Sequence, residues 1–101
     1  MKKKIAILGS TGSIGKNTLN IINKDIKKFE IELLTTNSNV NNIVSQVKKF
    51  KVKNIIVKNK TSYVLVKKKL KKNKVKIYNG YNSFSKIFKL SLIHISDPTR
   101  Q

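Results

Sequence analysis

The stretch Ile5-Ala6-Ile7-Leu8-Gly9-Ser10-Thr11-Gly12-Ser13-Ile14-Gly15 constrains this chain more than any other, because a short apolar run ends there in glycines spaced three apart. A run this short, with Lys2, Lys3 and Lys4 before it and a glycine turn after it, suits a buried parallel strand. Gly9 supplies the backbone angles a sharp strand exit needs, and Gly12 removes a Cβ that would hold a pyrophosphate off the main chain. Gly15 lets the following helix lie close to the strand. The first amides of that helix have no intrahelical acceptor, so an anion there gains hydrogen bonds and the favourable end of the helix dipole.

The spacing is G-x-x-G-x-x-G. It is not a P-loop, since Gly15-Lys16-Asn17 lacks the Lys-Ser/Thr pair that such a loop places after its last glycine. Three glycines alone are equally compatible with a plain strand-to-helix turn that binds nothing. A strand pattern before and a helix pattern after supply the context that favours a dinucleotide, with Thr11, Gly12, Ser13 and Ile14 as the residues against it.

Beyond the corner the apolar period switches repeatedly between helix and strand. Ile14, Leu19, Ile22 and Ile26 predict a helix over 12–24, and residues 29–35 alternate before turning fully apolar, as a strand entering a sheet does. Val40, Ile43, Val44 and Val47 predict an amphipathic helix capped by Asn39. A strand at 54–57, a helix at 61–72 with Val64, Leu65 and Leu70 inward, a strand at 75–78, a turn at Asn79-Gly80 and a last helix over 81–89 complete the pattern. Such alternation predicts an α/β, Rossmann-like parallel sheet with helices on both faces, truncated in extent. Its ligand crevice is expected at the carboxyl ends of the first two strands.

At the second of those ends an NAD-preferring site carries a carboxylate for the ribose 2′-hydroxyl. Here Glu30 and Glu32 lie at the wrong end of the strand, and Thr35-Thr36-Asn37-Ser38-Asn39 follows it. Asn37, Ser38 and Asn39 offer small donors that suit a 2′-phosphate, which favours NADP over NAD. The same loop also reads as an ordinary polar cap for the next helix, and both readings hold together.

Ile7-Leu8-Gly9-Ser10-Thr11-Gly12-Ser13-Ile14-Gly15, followed by Thr18-Leu19 and Ile22, resembles the amino-terminal signature of the 1-deoxy-D-xylulose 5-phosphate reductoisomerases. The likeness extends from about Lys3 to about Leu90, with Asn37-Ser38-Asn39 where the family often has Gly-Lys-Asn. The resemblance implies an NADPH-binding domain of an enzyme that isomerises and reduces 1-deoxy-D-xylulose 5-phosphate to 2-C-methyl-D-erythritol 4-phosphate in isoprenoid biosynthesis. It further implies a phosphorylated small-molecule substrate, a homodimeric whole enzyme, and a divalent metal, Mg or Mn, held by carboxylates in a later domain. The four carboxylates of this chain, Asp25, Glu30, Glu32 and Asp97, match none of that ligand motif, so no catalytic or metal residue is assigned and the piece is expected to be inactive alone.

The net charge of +19 raises nucleic-acid binding as a rival. Of the 23 basic residues only Arg100 is an arginine, and the lysines are spread over nearly every segment. Groove and single-strand readers lean on arginine and stacked aromatics, so no specific nucleic-acid partner is expected. Another GxxGxxG reductase is the second alternative; Tyr63 and Lys67 have a catalytic spacing but fall on a lysine-rich helix far from the corner. With no cysteine and an apolar start that stops at Leu8, disulfides are excluded and neither a signal peptide nor a membrane span is expected, which fits a cytoplasmic protein.

The last eleven residues differ from the rest. Residues 91–101 contain the chain's only Pro, His and Arg and no lysine. The expected organisation is therefore an incomplete NADPH-binding domain over 1–90 and a non-native tail over 91–101, with catalytic and carboxy-terminal domains absent; His94 and Asp97 receive no role.

Overall fold

The computed structural model describes residues 3–80 and 94–96 of the chain. Strand β1 (Lys3–Ile7) leads through the glycine turn into helix α1 (Ser13–Asn23), and a 3-10 turn, Ile26–Lys28, enters β2 (Phe29–Thr36). There follow α2 (Val40–Lys49), β3 (Val52–Val57), α3 (Lys60–Lys69), β4 (Lys76–Asn79) and β5 (His94–Ser96). All strand pairings are parallel, in the order β4-β3-β2-β1-β5.

That order sharpens the expected crevice. The chain steps outward from β1 through β2 and β3 to β4, then returns to add β5 on the other side of β1. The reversal, and hence the crevice of an open α/β sheet, lies at the carboxyl end of β1, between β2 and β5. The sequence reading put it between the first two strands because it did not foresee a strand on β1's other edge. His94–Ser96 falls inside the stretch expected to be foreign, and pairs with Ile5, Ala6 and Ile7.

Three successive connections running in one direction put their helices on one face when all have the same hand. Leu19 and Ile22 of α1, Ile43, Val44 and Val47 of α2, and Val66 and Leu70 of α3 form a single core with Ile5, Ile7, Ile31, Leu34, Ile55 and Val57. Fully burying such side chains contributes about 1.5–3 kcal/mol each before the entropy of ordering is counted. Ala6, Leu33 and Ile56 form a second, smaller cluster, also fully buried. The helix expected at 81–89 lies outside the described residues.

Ile31 and Leu34, three residues apart, share the large core because the register shifts in β2, while Leu33, next to Leu34, points to the other face as in any strand. Ile5 pairs with Ile31 and Ala6 with Leu33, leaving Glu32 opposite neither. Glu30 and Glu32 reach Lys53 on β3 at 2.8 and 3.8 Å.

Two helix faces depart from expectation. Ile14 is half exposed at the start of α1, and Ile26 lies beyond its end; Gly15, Leu19 and Ile22 are its buried positions. On α3, Val64 and Leu65 are exposed, while Ser62, Val66 and Leu70, four residues apart, turn inward. An apolar count picked Val64 and Leu65 because it could not see that the true stripe begins with a serine.

Candidate functional site

The corner between β1 and α1 is built as the glycine spacing requires. Gly9 sits at φ 72°, in the left-handed region that an L side chain rarely adopts. Gly15 is demanded by packing: a Cβ there would run into the Gly9 carbonyl oxygen and stand 2.7 Å from Ser10 Cα. Gly12 differs from both. Its backbone, at φ −75° and ψ 170°, is open to any residue, and a Cβ on it would meet only the Gly9 carbonyl oxygen at 3.5 Å, an ordinary contact. Among the described residues nothing requires glycine at 12. The space a side chain would occupy there lies over the entrance of α1.

Gly12 is the N-cap of α1, and no side chain caps the helix. The first amide to find an intrahelical acceptor is that of Lys16, bonded to the Gly12 carbonyl at 2.9 Å. Among the described residues no hydrogen bond occupies the amides of Ser13, Ile14 or Gly15, and Gly12, Ser13 and Ile14 are all exposed. These donors lie at the positive end of a helix dipole at the carboxyl end of β1, where an anion would gain both hydrogen bonds and a favourable field.

The loop is held from β2 and α2. Gly9 N–H donates to Thr35 Oγ1 at 2.8 Å and Ser10 N–H to the Thr35 carbonyl at 2.9 Å. Fully buried Ser10 then makes a reciprocal pair with Gln46 of α2: its hydroxyl donates to Gln46 Oε1 and Gln46 Nε2 donates to the Ser10 carbonyl, both at 2.8 Å. Thr11 Oγ1 and Thr36 Oγ1 lie 2.7 Å apart, tying the tip of the corner to the end of β2. The sequence reading missed Thr35 and Gln46. A signal was available, since Gln46 falls three residues after Ile43 on the apolar stripe of α2, and a polar side chain kept on a core face needs a buried partner.

The second expected group, Asn37, Ser38 and Asn39, is exposed in the loop after β2, one strand over from the corner. Asn39 caps α2 as expected, its Oδ1 accepting from Asn42 N–H at 3.2 Å. The Val40 amide is taken by the Ser38 carbonyl at 2.9 Å, so fewer amides of α2 are open than the sequence suggested. What the loop still presents is the Asn37 side chain, the Ser38 hydroxyl, Asn39 Nδ2 and the Asn41 amide.

Among the described residues the electrostatics of this end have one sign. Among the described residues Lys16, Lys58 and Lys60 are its only charged side chains, whereas Asp25, Glu30 and Glu32 sit at the amino end of the sheet with lysine partners. The Glu30 carboxylate bonded to Lys53, with Glu32 beside it, raises the Lys53 pKa from its usual 10.5. A depression of about 860 Å³ also lies at the amino end, lined by Ile26, Phe29, Phe50, Val75 and several lysines, remote from the end where parallel sheets bind ligands. No group of three or more potential metal ligands occurs among the described residues, and none of their helices is long and apolar enough to cross a membrane.

Comparison with known proteins agrees with this geometry. Residues 5–95 match the family model of 1-deoxy-D-xylulose 5-phosphate reductoisomerase. The reductoisomerase of Pelagibacter ubique is 54% identical over 86 residues, which are 85% of this chain and 22% of that protein. The one from Phocaeicola vulgatus is 39% identical over 95 residues, 94% of this chain and 25% of that protein. Among solved structures, the Zymomonas mobilis reductoisomerase in complex with NADPH superposes with a TM-score of 0.79 at 25% identity, covering 86% of this chain and 23% of that one. A reductoisomerase in complex with NADPH, fosmidomycin and magnesium superposes with a TM-score of 0.80 at 27% identity, covering 90% and 22%. The chain thus spans about a quarter of the length of its relatives.

Proposed function

The chain belongs to the 1-deoxy-D-xylulose 5-phosphate reductoisomerase family, and from that premise we propose that it is the NADPH-binding part of such an enzyme. The observation that carries the proposal is Gly12. A glycine that neither its backbone angles nor its protein neighbours require, set over unoccupied helix amides at the switch point of the sheet, fits a pyrophosphate.

Thr11, Gly12, Ser13 and Ile14 hold the pyrophosphate, with main-chain donors from α1. Half-exposed Ile14 offers an apolar surface to the adjoining part of the cofactor. Asn37, Ser38 and Asn39 receive the 2′-phosphate, and the end of β2 carries no carboxylate to repel it. The Thr11–Thr36 hydroxyl pair keeps the two groups in fixed relation. NADPH, when bound, supplies hydride for the reductive step; the residues here bind and orient it. The phosphorylated substrate, the divalent metal and its ligands, and the homodimer belong to the parts of the enzyme outside this chain. The absence of disulfides and of a membrane-spanning helix among the described residues supports assignment to the cytoplasm.

Composition changes at Ser91, but the family match runs to residue 95, so of the stretch expected to be foreign we propose a different origin only for residues 96–101. The pairing of His94–Ser96 with β1 uses main-chain groups that any sequence supplies.

Titration of the purified chain with NADPH and NADH at low and moderate salt tests the main proposal. We expect weak binding, a preference for NADPH that persists at moderate salt, and no NADPH oxidation with substrate and magnesium. A preference that vanishes with salt would reduce the binding to the general lysine field, and turnover would overturn the assignment of catalysis to absent domains.

A further inference from the structure

The loop after β2 offers hydroxyls and amides to a 2′-phosphate but no charge, since Thr35 to Asn39 contain neither lysine nor arginine. A phosphate that brings about −1.5 to −2 charge is held far better by a fixed cation than by neutral donors alone. The sheet brings such a cation to the loop from the neighbouring strand.

Thr36 pairs with Val57 at the end of β3, so Lys58 falls beside Asn37. Pairing then continues past both strands: Lys58 N–H donates to the Thr36 carbonyl at 3.0 Å and Asn59 N–H to the Asn37 carbonyl at 2.8 Å. Ser62 Oγ adds a bond to the Ser38 carbonyl at 3.1 Å. Thr36 at the end of β2 and Asn37 and Ser38 after it are therefore clasped by the loop after β3 and the first turn of α3. The clasp is braced from β4, where Asn79 Nδ2 donates to the carbonyls of Val57 and Lys58 at 3.0 and 3.1 Å. Lys58 is exposed and has no ion pair among the described residues, and every described carboxylate lies at the opposite end of the sheet. A lysine whose backbone is fixed from two sides, and whose charge has no partner among the described residues, leaves its ammonium free to meet an anion at this loop.

We infer that Lys58 is the specificity-determining cation for the 2′-phosphate, supplying from β3 the charge that the β2 loop lacks. The inference rests on the assignment of NADPH above. On it, the discrimination between NADPH and NADH is set across two loops, and the hydrogen bonds between them belong to the specificity device.

The test is a titration of the full 101-residue chain and its Lys58→Gln, Lys58→Arg and Lys51→Gln variants with NADPH and with NADH at fixed moderate salt. Lys58→Gln should weaken NADPH binding about tenfold, the size of one well-placed charge-assisted contact, while NADH changes less than about twofold. Lys58→Arg should keep most of the preference. Lys51→Gln removes the same unit charge from an exposed position at the amino end and should change neither affinity. If Lys58→Gln leaves the NADPH-to-NADH ratio intact, or Lys51→Gln lowers it equally, Lys58 is not the determinant although the corner still binds NADPH. If the unsubstituted chain binds neither cofactor, the assignment of NADPH itself fails.

Discussion

Gly12 and Gly15 lie three residues apart in one turn, yet the structure predicts opposite consequences for adding a methyl group to each. At Gly15 the new Cβ would meet the Gly9 carbonyl oxygen, Ser10 Cα at 2.7 Å and Ser10 carbonyl carbon at 2.9 Å. These are main-chain atoms and cannot rotate away. The loop that carries them is pinned through Gly9 and Ser10 to Thr35 and through Ser10 to Gln46. Relief requires α1 and the loop to separate, an overpacking cost of about 3 kcal/mol, against which alanine recovers about 1 kcal/mol of helix propensity. The net loss of about 2 kcal/mol corresponds to a fall in Tm of roughly 8–16 °C for a domain this small. At Gly12 the backbone angles suit alanine and the nearest atom is 3.5 Å away, so Gly12→Ala should hold Tm within about 4 °C. Its methyl group, and more so the branched side chain of Gly12→Val, fills the space over the first amides of α1 and should abolish NADPH binding. Circular dichroism melts and NADPH fluorescence titrations on the three variants separate the two effects. Equal melting losses at 12 and 15, or NADPH affinity surviving Gly12→Val in a folded protein, would refute the division of one packing glycine and one ligand glycine.

Gln46→Leu leaves the Ser10 carbonyl without its amide donor in a fully buried site, and should cost about 2 kcal/mol, read as a lower Tm. Lys53 has a folded pKa raised by Glu30 and Glu32, so its stabilising contribution is fully present below the unfolded value of about 10.5 and is lost as pH rises through the folded value. Lys53→Gln should therefore melt slightly below the unsubstituted chain at neutral pH, and the two melting curves should converge in strong alkali; a gap that persists there would rule out an ionic origin. Deleting 92–101 should leave NADPH affinity unchanged and Tm within about 4 °C if β5 contributes little beyond main-chain pairing. A larger loss would make the tail a native strand.

Local chemistry was enough to locate the corner from the sequence. A left-handed residue, a strand exit and a helix start each have their own residue requirement, and Gly9, the apolar run before it and the period after Gly15 state those requirements within a dozen positions. The same locality reveals Asn39 as a cap and Glu30 and Glu32 as lying far from the ribose end of β2. Three things depended on residues far apart in the chain. The switch point falls at β1 and β5 because the chain returns to the free edge of β1 rather than to that of β4, a choice no window of sequence records. Gln46 became part of the corner because α2, packed on the shared core, brings it to Ser10 across 36 positions. Lys58 came to stand beside Asn37 for the same kind of reason: parallel pairing aligns the ends of β2 and β3, and the charge missing from one loop is set by the register of the next strand.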